Sequence, residues 1–271
     1  MRVNRKLIKF AKRVLVAAAF STLFYFFPLP MGILLICGLW DVSRNDPLDS
    51  DVLRQYFMRN GVGTWLASPL NVLLDIFALP YLNKGVYRLD DLPTSYRDEI
   101  RSLLNFVDES DLVPLLSRRT QGLPRAMFFF KWYGRNVESA VNLPHFHDEY
   151  KYVRTIGVSA FRERESTSRH FGPFRPCLRV LYCLNEIRDQ NAYIKVGRAE
   201  NRWKDNRLFI FDDTLLHQSF NNTDQPRYCL FVDIVRPSYV RALFDVVVGL
   251  IRLFFLGVNG IFYKNWTLVK N

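Results

Sequence analysis

Residues Arg207 to Val235 read RLFIFDDTLLHQSFNNTDQPRYCLFVDIV. Two runs rich in β-branched and aromatic residues, Arg207 to Phe211 and Tyr228 to Val235, flank a shorter one, Gln218 to Phe220, and the polar residues Asn221 to Pro226 separate the last two. Runs this short, bounded by turn-forming residues, read as strands, because an amphipathic helix needs about ten residues or more to present a buried face. The same texture extends upstream through Thr155 to Phe161, Leu178 to Leu184 and Ala192 to Val196, with Asn185 to Asn191 as a further turn. Short strands at this spacing predict a mainly β, jelly-roll type domain over residues 126–237.

The flanks differ. Residues 1–40 open on Arg2, Arg5, Lys6, Lys9, Lys12 and Arg13 and continue as an uncharged run from Val14 to Trp40. At about 1.5 Å per helical residue that run is long enough to cross a hydrocarbon core of about 30 Å. Pro28 and Pro30 interrupt it, which leaves one kinked span or a re-entrant hairpin, and no small-residue cleavage pattern marks it as an ordinary signal peptide. Residues 41–125 read as short helices and connectors punctuated by proline. Within them Tyr96 to Val107 places Ile100, Leu103, Leu104 and Val107 on one helical face, and the interrupted apolar stretch Trp65 to Leu82 is expected at the membrane surface or beneath the barrel. Residues 238–271 predict an amphipathic helix lying in the interface, with Arg241, Asp245 and Arg252 along its wet side and Lys264 and Trp266 at headgroup level.

Composition agrees with membrane attachment. Hydrophobic residues make up 49% and charged residues 23% of 271 residues, enough for a core and far from a disordered polymer. A net charge of +11 suits an anionic lipid surface or a nucleic acid; because the basic residues adjoin apolar runs, lipid is the expected partner and nucleic acid is not. Cys37, Cys177, Cys183 and Cys229 form no CxxC spacing, which excludes a zinc ribbon, and the last three lie in strand-like runs where cysteine behaves as a small hydrophobe.

The chain has four histidines. His145 and His147 sit in a polar loop and read as solvated. His170, in Arg169-His170-Phe171-Gly172-Pro173, and His217, after Phe211-Asp212-Asp213-Thr214-Leu215-Leu216, sit at strand edges, where two imidazoles in a barrel mouth suit iron(II). Their company is specific. Ser159, His170-Phe171-Gly172-Pro173, Leu178-Arg179, Phe211-Asp212-Asp213, His217, Arg227-Tyr228-Cys229-Leu230-Phe231-Val232-Asp233-Ile234 and Pro237, in that order and spacing, resemble the aspartyl/asparaginyl β-hydroxylase family, including its bacterial lipid A 2-hydroxylase relatives.

That resemblance implies a double-stranded β-helix (jelly-roll) catalytic domain between helical, membrane-associated N- and C-terminal segments, and an iron(II)/2-oxoglutarate-dependent dioxygenase consuming O2. On it, His170 and His217 are the metal ligands. Arg227 grips the distal carboxylate of 2-oxoglutarate with help from Ser159, and Arg179 lies near the carboxylate on the metal side. A guanidinium offers paired donors to a carboxylate where a lysine offers a point charge. Two positions depart from the wider pattern: Gly172 stands where most such oxygenases carry the third, carboxylate ligand, as it does in the peptide-acting branch, and Leu181 stands where the family commonly has histidine. One of Asp212 and Asp213 is expected to orient His217 or Arg179, Asp212 otherwise being a turn residue, and Asp233 is expected to pair with a nearby base.

The membrane segments favour a lipid-linked acyl chain as substrate. A peptidyl Asp or Asn is the alternative, supported by Gly172, and a non-catalytic membrane scaffold is the third reading, disfavoured by the retained histidines, Arg227 and Ser159. The basic N-terminus and the cytosolic supply of cosubstrate place the barrel on the cytoplasmic face of a bacterial inner membrane, anchored by a hairpin. On the lumenal alternative the triplets beginning at Asn221 and Asn265 would be glycan acceptors.

Overall fold

The computed structural model describes residues 5–81, 83–141, 143–255 and 266–269, and everything below concerns these. The chain is mostly sheet with helices at its flanks. Helices α1 (Arg5–Phe26), α2 (Pro28–Ser43), α3 (Ser50–Arg54), α4 (Val62–Leu66) and α5 (Ser68–Ala78) come first, with a π-helical turn over Gln55–Arg59. After β1 (Val86–Tyr87) come α6 (Thr94–Glu109) and α7 (Leu112–Thr120). The strands β2 (Arg125–Trp132), β3 (Arg135–Asn136), β4 (Val153–Phe161), β5 (Glu165–Ser166), β6 (Cys177–Cys183), β7 (Ala192–Val196), β8 (Ala199–Arg202), β9 (Leu208–Phe211), β10 (His217–Asn221) and β11 (Arg227–Val235) precede α8 (Arg241–Phe255) and β12 (Thr267–Leu268).

Two sheets form. The larger, eight-stranded one runs β1-β9-β6-β11-β4-β2-β12 with β3 beside β2, and a four-stranded one runs β5-β10-β7-β8. The period-two pattern of the central strands sorts their side chains between two cores. Ile156, Val158, Val180, Leu230 and Val232 point outward and pack under α6, α7 and α8 through Leu103, Leu116 and Phe244. Cys183, Phe209, Phe211 and Cys229 point inward and meet Ala192, Ile194, Val196 and Trp203 of the smaller sheet. Register therefore puts Ser159, Arg179, Arg227 and Asp233 on the inner face, where polar groups are unusual and informative.

Helices α2 and α5 are bound to this barrel by charge. Arg175, fully buried, pairs with Asp41 of α2, Asp75 of α5 and Asp212 before β10. Asp212 also takes Arg44 at 2.9 Å and Arg236 at 2.8 Å. Burial alone would raise the Asp212 carboxyl, but Arg236, Arg44 and Arg175 together hold it well below the usual carboxylate range. A second set of contacts runs along residues 169–175. Gln55 donates to the Arg169 carbonyl at 2.9 Å, Asn60 both donates to and accepts from the Phe171 backbone at 2.9 Å, and Asn71 donates to the Pro173 carbonyl at 3.2 Å while accepting from the Arg175 N–H at 3.1 Å. Side-chain amides on α5 and the segment before it thus stand in for a neighbouring strand, satisfying backbone groups that the sheet leaves open.

Some expectations need correcting. The pattern of short runs missed β2 and β8: β2 is a continuous apolar run buried on both faces, and β8 is a polar edge strand, so neither alternates. In α8 the charged side is engaged by the barrel and only partly exposed to water. Asp245 pairs with Arg154 of β4 at 2.6 Å and with Arg241 at 3.3 Å, so the charges turn toward the barrel while Val246, Leu250, Leu253 and Phe254 face outward. Trp266 packs edge-on against Phe161 at 4.9 Å, and β12 pairs in parallel with β2, so this part of the tail is tied to the barrel. Asn221 is fully buried and donates to the Arg162 and Gln225 carbonyls, which leaves no room for a glycan. Arg2, the tail over residues 256–264 (Lys264 among them) and Asn265 lie outside the described residues. The chain breaks direction at Phe27, between α1 and α2, and no described helix is long and apolar enough to cross a membrane.

Replacing Arg175 with Met should strip Asp41 of its cation while leaving the carboxylate buried, at a cost of about 3–5 kcal/mol. Denaturant titration checks this; an unchanged midpoint would mean that the helical layer is not held by this pairing.

Candidate active site

His170 and His217 face each other across an antiparallel bridge, with backbone hydrogen bonds of 3.1 and 3.0 Å in the two directions and ring centroids 4.2 Å apart. Both imidazoles are oriented by their own chain: His170 Nδ1 lies 2.7 Å from the Ser168 carbonyl and His217 Nδ1 lies 2.8 Å from the Leu215 carbonyl. A carbonyl only accepts, so each Nδ1 carries the proton and each Nε2 keeps a free lone pair, the state a metal requires. Burial pushes both rings below the usual histidine range, His217 furthest because His170 adds to the effect, and so favours the neutral form.

The third position is shaped by Gly172 and Asp213. A Cβ built on Gly172 would lie 2.8 Å from the Asp213 carboxyl carbon, and the Gly172 N–H donates to the Asp213 carbonyl at 2.7 Å. The room in which a side chain at 172 would project is therefore taken by the carboxylate of Asp213. Arg179 holds that carboxylate at 3.0 Å and Asp233 at 2.6 Å, and its guanidinium lies over the Phe231 ring at 4.6 Å. Burial raises the Asp213 carboxyl; Arg179 pulls it down, and the negative Asp233 and Asp212 push it further up. Among the described residues no cluster of three or more His, Cys, Asp or Glu side chains has the geometry to hold a metal ion, so the site offers two imidazoles with a carboxylate beside them.

Deeper between the sheets Arg227 is 1% exposed. Its guanidinium lies over Phe161 at 4.2 Å and near Trp203 at 5.5 Å, with one long contact of 3.4 Å to the Phe220 carbonyl. Among the described residues no carboxylate pairs with it, and its Nε and the Trp203 Nε1 are both buried without a hydrogen-bond partner. A cation this deep without a counter-charge is costly, and the pocket has the chemistry of an anion site awaiting its anion. Ser159, one inward-facing position along the adjacent strand, spends its hydroxyl on the Cys229 carbonyl at 3.3 Å.

The structure thus brings His170 to His217, Ser159 to the neighbourhood of Arg227, and Arg179 to Asp213. Asp233 pairs with a base, Arg179, as its strand position led us to expect. Trp203, Asn60 and Asn71 escaped the sequence reading: a Trp in a polar turn and two Asn residues in helical segments carry no local pattern, and their roles exist only across the fold.

A family model described as aspartyl/asparaginyl beta-hydroxylase matches residues 96–237. A curated relative, an ornithine lipid ester-linked acyl 2-hydroxylase from Rhizobium tropici, is 29% identical over 162 residues, covering 58% of this chain and 52% of its own, so the chain spans about half the length of that relative. Among solved structures, a Pseudomonas putida prolyl-4-hydroxylase overlaps with a TM-score of 0.26 at 16% identity, covering 31% of this chain and 50% of that one. A cupin domain from Schizosaccharomyces pombe overlaps with a TM-score of 0.28 at 13% identity, covering 35% of this chain and 65% of that one. These structural overlaps are partial, and the fold assignment stands on the sheet topology itself. With more than half of its length matched, and with His170, Gly172, Arg179, His217 and Arg227 inside the match, the chain belongs to the aspartyl/asparaginyl β-hydroxylase family.

Proposed function

We propose that this chain is an iron(II)- and 2-oxoglutarate-dependent hydroxylase acting on a C–H bond of a lipid-linked acyl chain. The observation that carries this reading is the presence, in one barrel, of two neutral imidazoles with free Nε2 atoms and of a buried Arg227 with no acid to pair with. A dicarboxylate cosubstrate supplies the missing anion. His170 and His217 would hold the iron, and the bound metal with 2-oxoglutarate would supply the O2-dependent oxidation of carbon.

The protein's own residues then have separable tasks. Arg227 fixes the far carboxylate of the cosubstrate, its plane kept in place by Phe161 and Trp203, and the Ser159 hydroxyl lies within one strand position of it. Arg179, which the resemblance puts near the metal-side carboxylate of the cosubstrate, is already engaged with Asp213 and Asp233 and would act instead as a positioning residue that keeps a carboxylate beside Gly172. Phe211, 5.3 Å from the His217 ring, helps to exclude bulk water.

The lipid assignment takes support from the named activity of the Rhizobium relative and from the surface. Ile33, Ile36 and Trp40 on α2, Leu73, Ile76 and Leu79 near α5, and Val246, Leu250 and Leu253 on α8 leave apolar faces uncovered. The last two regions adjoin, since Ser238 donates to the Phe77 carbonyl at 2.7 Å and Tyr81 packs near Tyr239 at 6.3 Å. Apolar surface of this extent marks a docking face, and the basic N-terminal run matches anionic headgroups. We place the barrel on the cytoplasmic side of a bacterial inner membrane, held to one leaflet. Hydroxylation of peptidyl Asp or Asn is the second reading, favoured by Gly172 alone.

His170→Ala and His217→Ala should each abolish succinate production and weaken binding of manganese(II), a redox-quiet probe, by about tenfold or more; full turnover in both variants would remove the metal assignment. Arg227→Lys replaces paired donors with a point charge, a loss of about 1.5–3 kcal/mol, and should raise the 2-oxoglutarate requirement by about 10–100-fold; an unchanged requirement would place the anion elsewhere. Mass spectrometry of lipids from cells with and without the gene should show one added oxygen on an acyl chain, whereas a gain confined to peptides would favour the second reading.

A further inference from the structure

A cavity of about 190 Å³ lies beside the two histidines, bounded by Pro47 from the segment between α2 and α3, by Val52 of α3, by Leu216 and His217 at the start of β10, and by Arg169 and Lys195 at its rim. The polar groups around it are already engaged. The Leu216 N–H donates to Asn45 at 2.8 Å, Arg169 pairs with Asp51 at 2.6 Å, Lys195 pairs with Glu200 at 3.0 Å, and Gln218 donates to the Thr167 carbonyl at 2.7 Å. What remains for an occupant is the apolar wall of Pro47, Val52 and Leu216, the aliphatic stems of the two rim cations, and the His217 ring.

Position and size select the occupant. The wall is fixed rather than floppy, because the Asp46 carbonyl sits 2.6 Å from where a Cβ on Gly197 would be, so the 46–47 turn bears directly on the turn after β7. Behind the cavity Val52 and Leu216 belong to one buried apolar cluster with Val42, Tyr56, Trp65 and Phe171, so its wall is continuous with the core of the helical layer. The volume is smaller than the roughly 300–1,000 Å³ of sites that enclose a whole small molecule. A folded peptide loop or a polar headgroup does not fit these terms; a few consecutive methylenes do.

We infer that this cavity seats the hydrocarbon chain of the substrate and that Val52, Pro47 and Leu216 decide which carbon lies beside His217. The inference rests on the lipid-hydroxylase reading above and adds the route and the residues that set position along the chain.

The test uses the full chain in vesicles of phosphatidylcholine and phosphatidylglycerol, with part of the phosphatidylcholine carrying a mid-chain diazirine. After irradiation, adducts are located by mass spectrometry, and hydroxylated lipid is measured in parallel without irradiation. Adducts at Pro47, Val52 or Leu216 are expected, together with their loss by about tenfold or more in Val52→Trp, whose added bulk fills the cavity. Manganese(II) binding reports that the variant is folded and the histidines intact. Should Val52→Trp fail to fold, the wild-type adduct map decides alone, with Val52→Ala expected to keep adducts in the cavity. Hydroxylated lipid with adducts confined to α5 and α8 overturns this inference and leaves the lipid reading standing. Absence of both hydroxylated lipid and adducts overturns the two together.

Discussion

Asp212 is the point on which the molecule turns. It is fully buried in the turn that leads into β10, and it is held by three arginines that arrive from three places: Arg44 at the end of α2, Arg175 just before β6, and Arg236 just after β11. Pairs of this kind return little net stability, since desolvating the charges offsets most of their attraction, but they tolerate few alternative arrangements. What the network fixes is geometry. The residue after Asp212 lies beside Gly172 and the turn it anchors ends at His217, so the same charges that fasten the helical layer also set one side of the site.

The two arginines of the inner face behave differently for the same physical reason. Arg179 is balanced by Asp213 and Asp233 within the protein, whereas Arg227 meets aromatic rings and a distant carbonyl. A guanidinium tolerates an aromatic sandwich better than an ammonium would, because it is planar and weakly hydrated, yet its charge is left uncompensated. The barrel is therefore folded around a deficit of negative charge at one depth and a satisfied network at another. That contrast separates a place for a ligand from a piece of scaffolding.

Much of this was legible in the chain. Short runs of β-branched and aromatic residues between polar turns placed β4, β6, β7, β9, β10 and β11 to within a residue or two, and the ordered run of motifs pointed to the histidines and Arg227. What failed shares a cause. β2 is apolar toward both of its neighbours, with Ala126, Phe128 and Phe130 in one cluster and Met127, Phe129 and Trp132 in another, and β8 is polar throughout most of its length, so neither shows an alternation of polarity. The charges of α8 look solvated in isolation and find Arg154 only in the fold. Asn60, Asn71 and Trp203 act on residues far away in sequence, and nothing near them announces it.

The row of amides from Gln55, Asn60 and Asn71 touches main-chain atoms of residues 169–175 and no side chain of that segment. Main-chain sockets are present whatever the local sequence, so this part of the joint tolerates substitution, whereas the Arg175 pairs with Asp41 and Asp75 and the Arg169 pair with Asp51 bind the two layers through particular side chains. The cover lies before residue 96, outside the stretch matched by the family model, and it supplies Pro47 and Val52. The two layers are thus coupled at their charged positions and free to vary at the main-chain ones: a change at Asp41 or Asp75 strands part of the buried Arg175 guanidinium, whereas a change of side chain at Pro173 leaves the carbonyl that Asn71 reads in place.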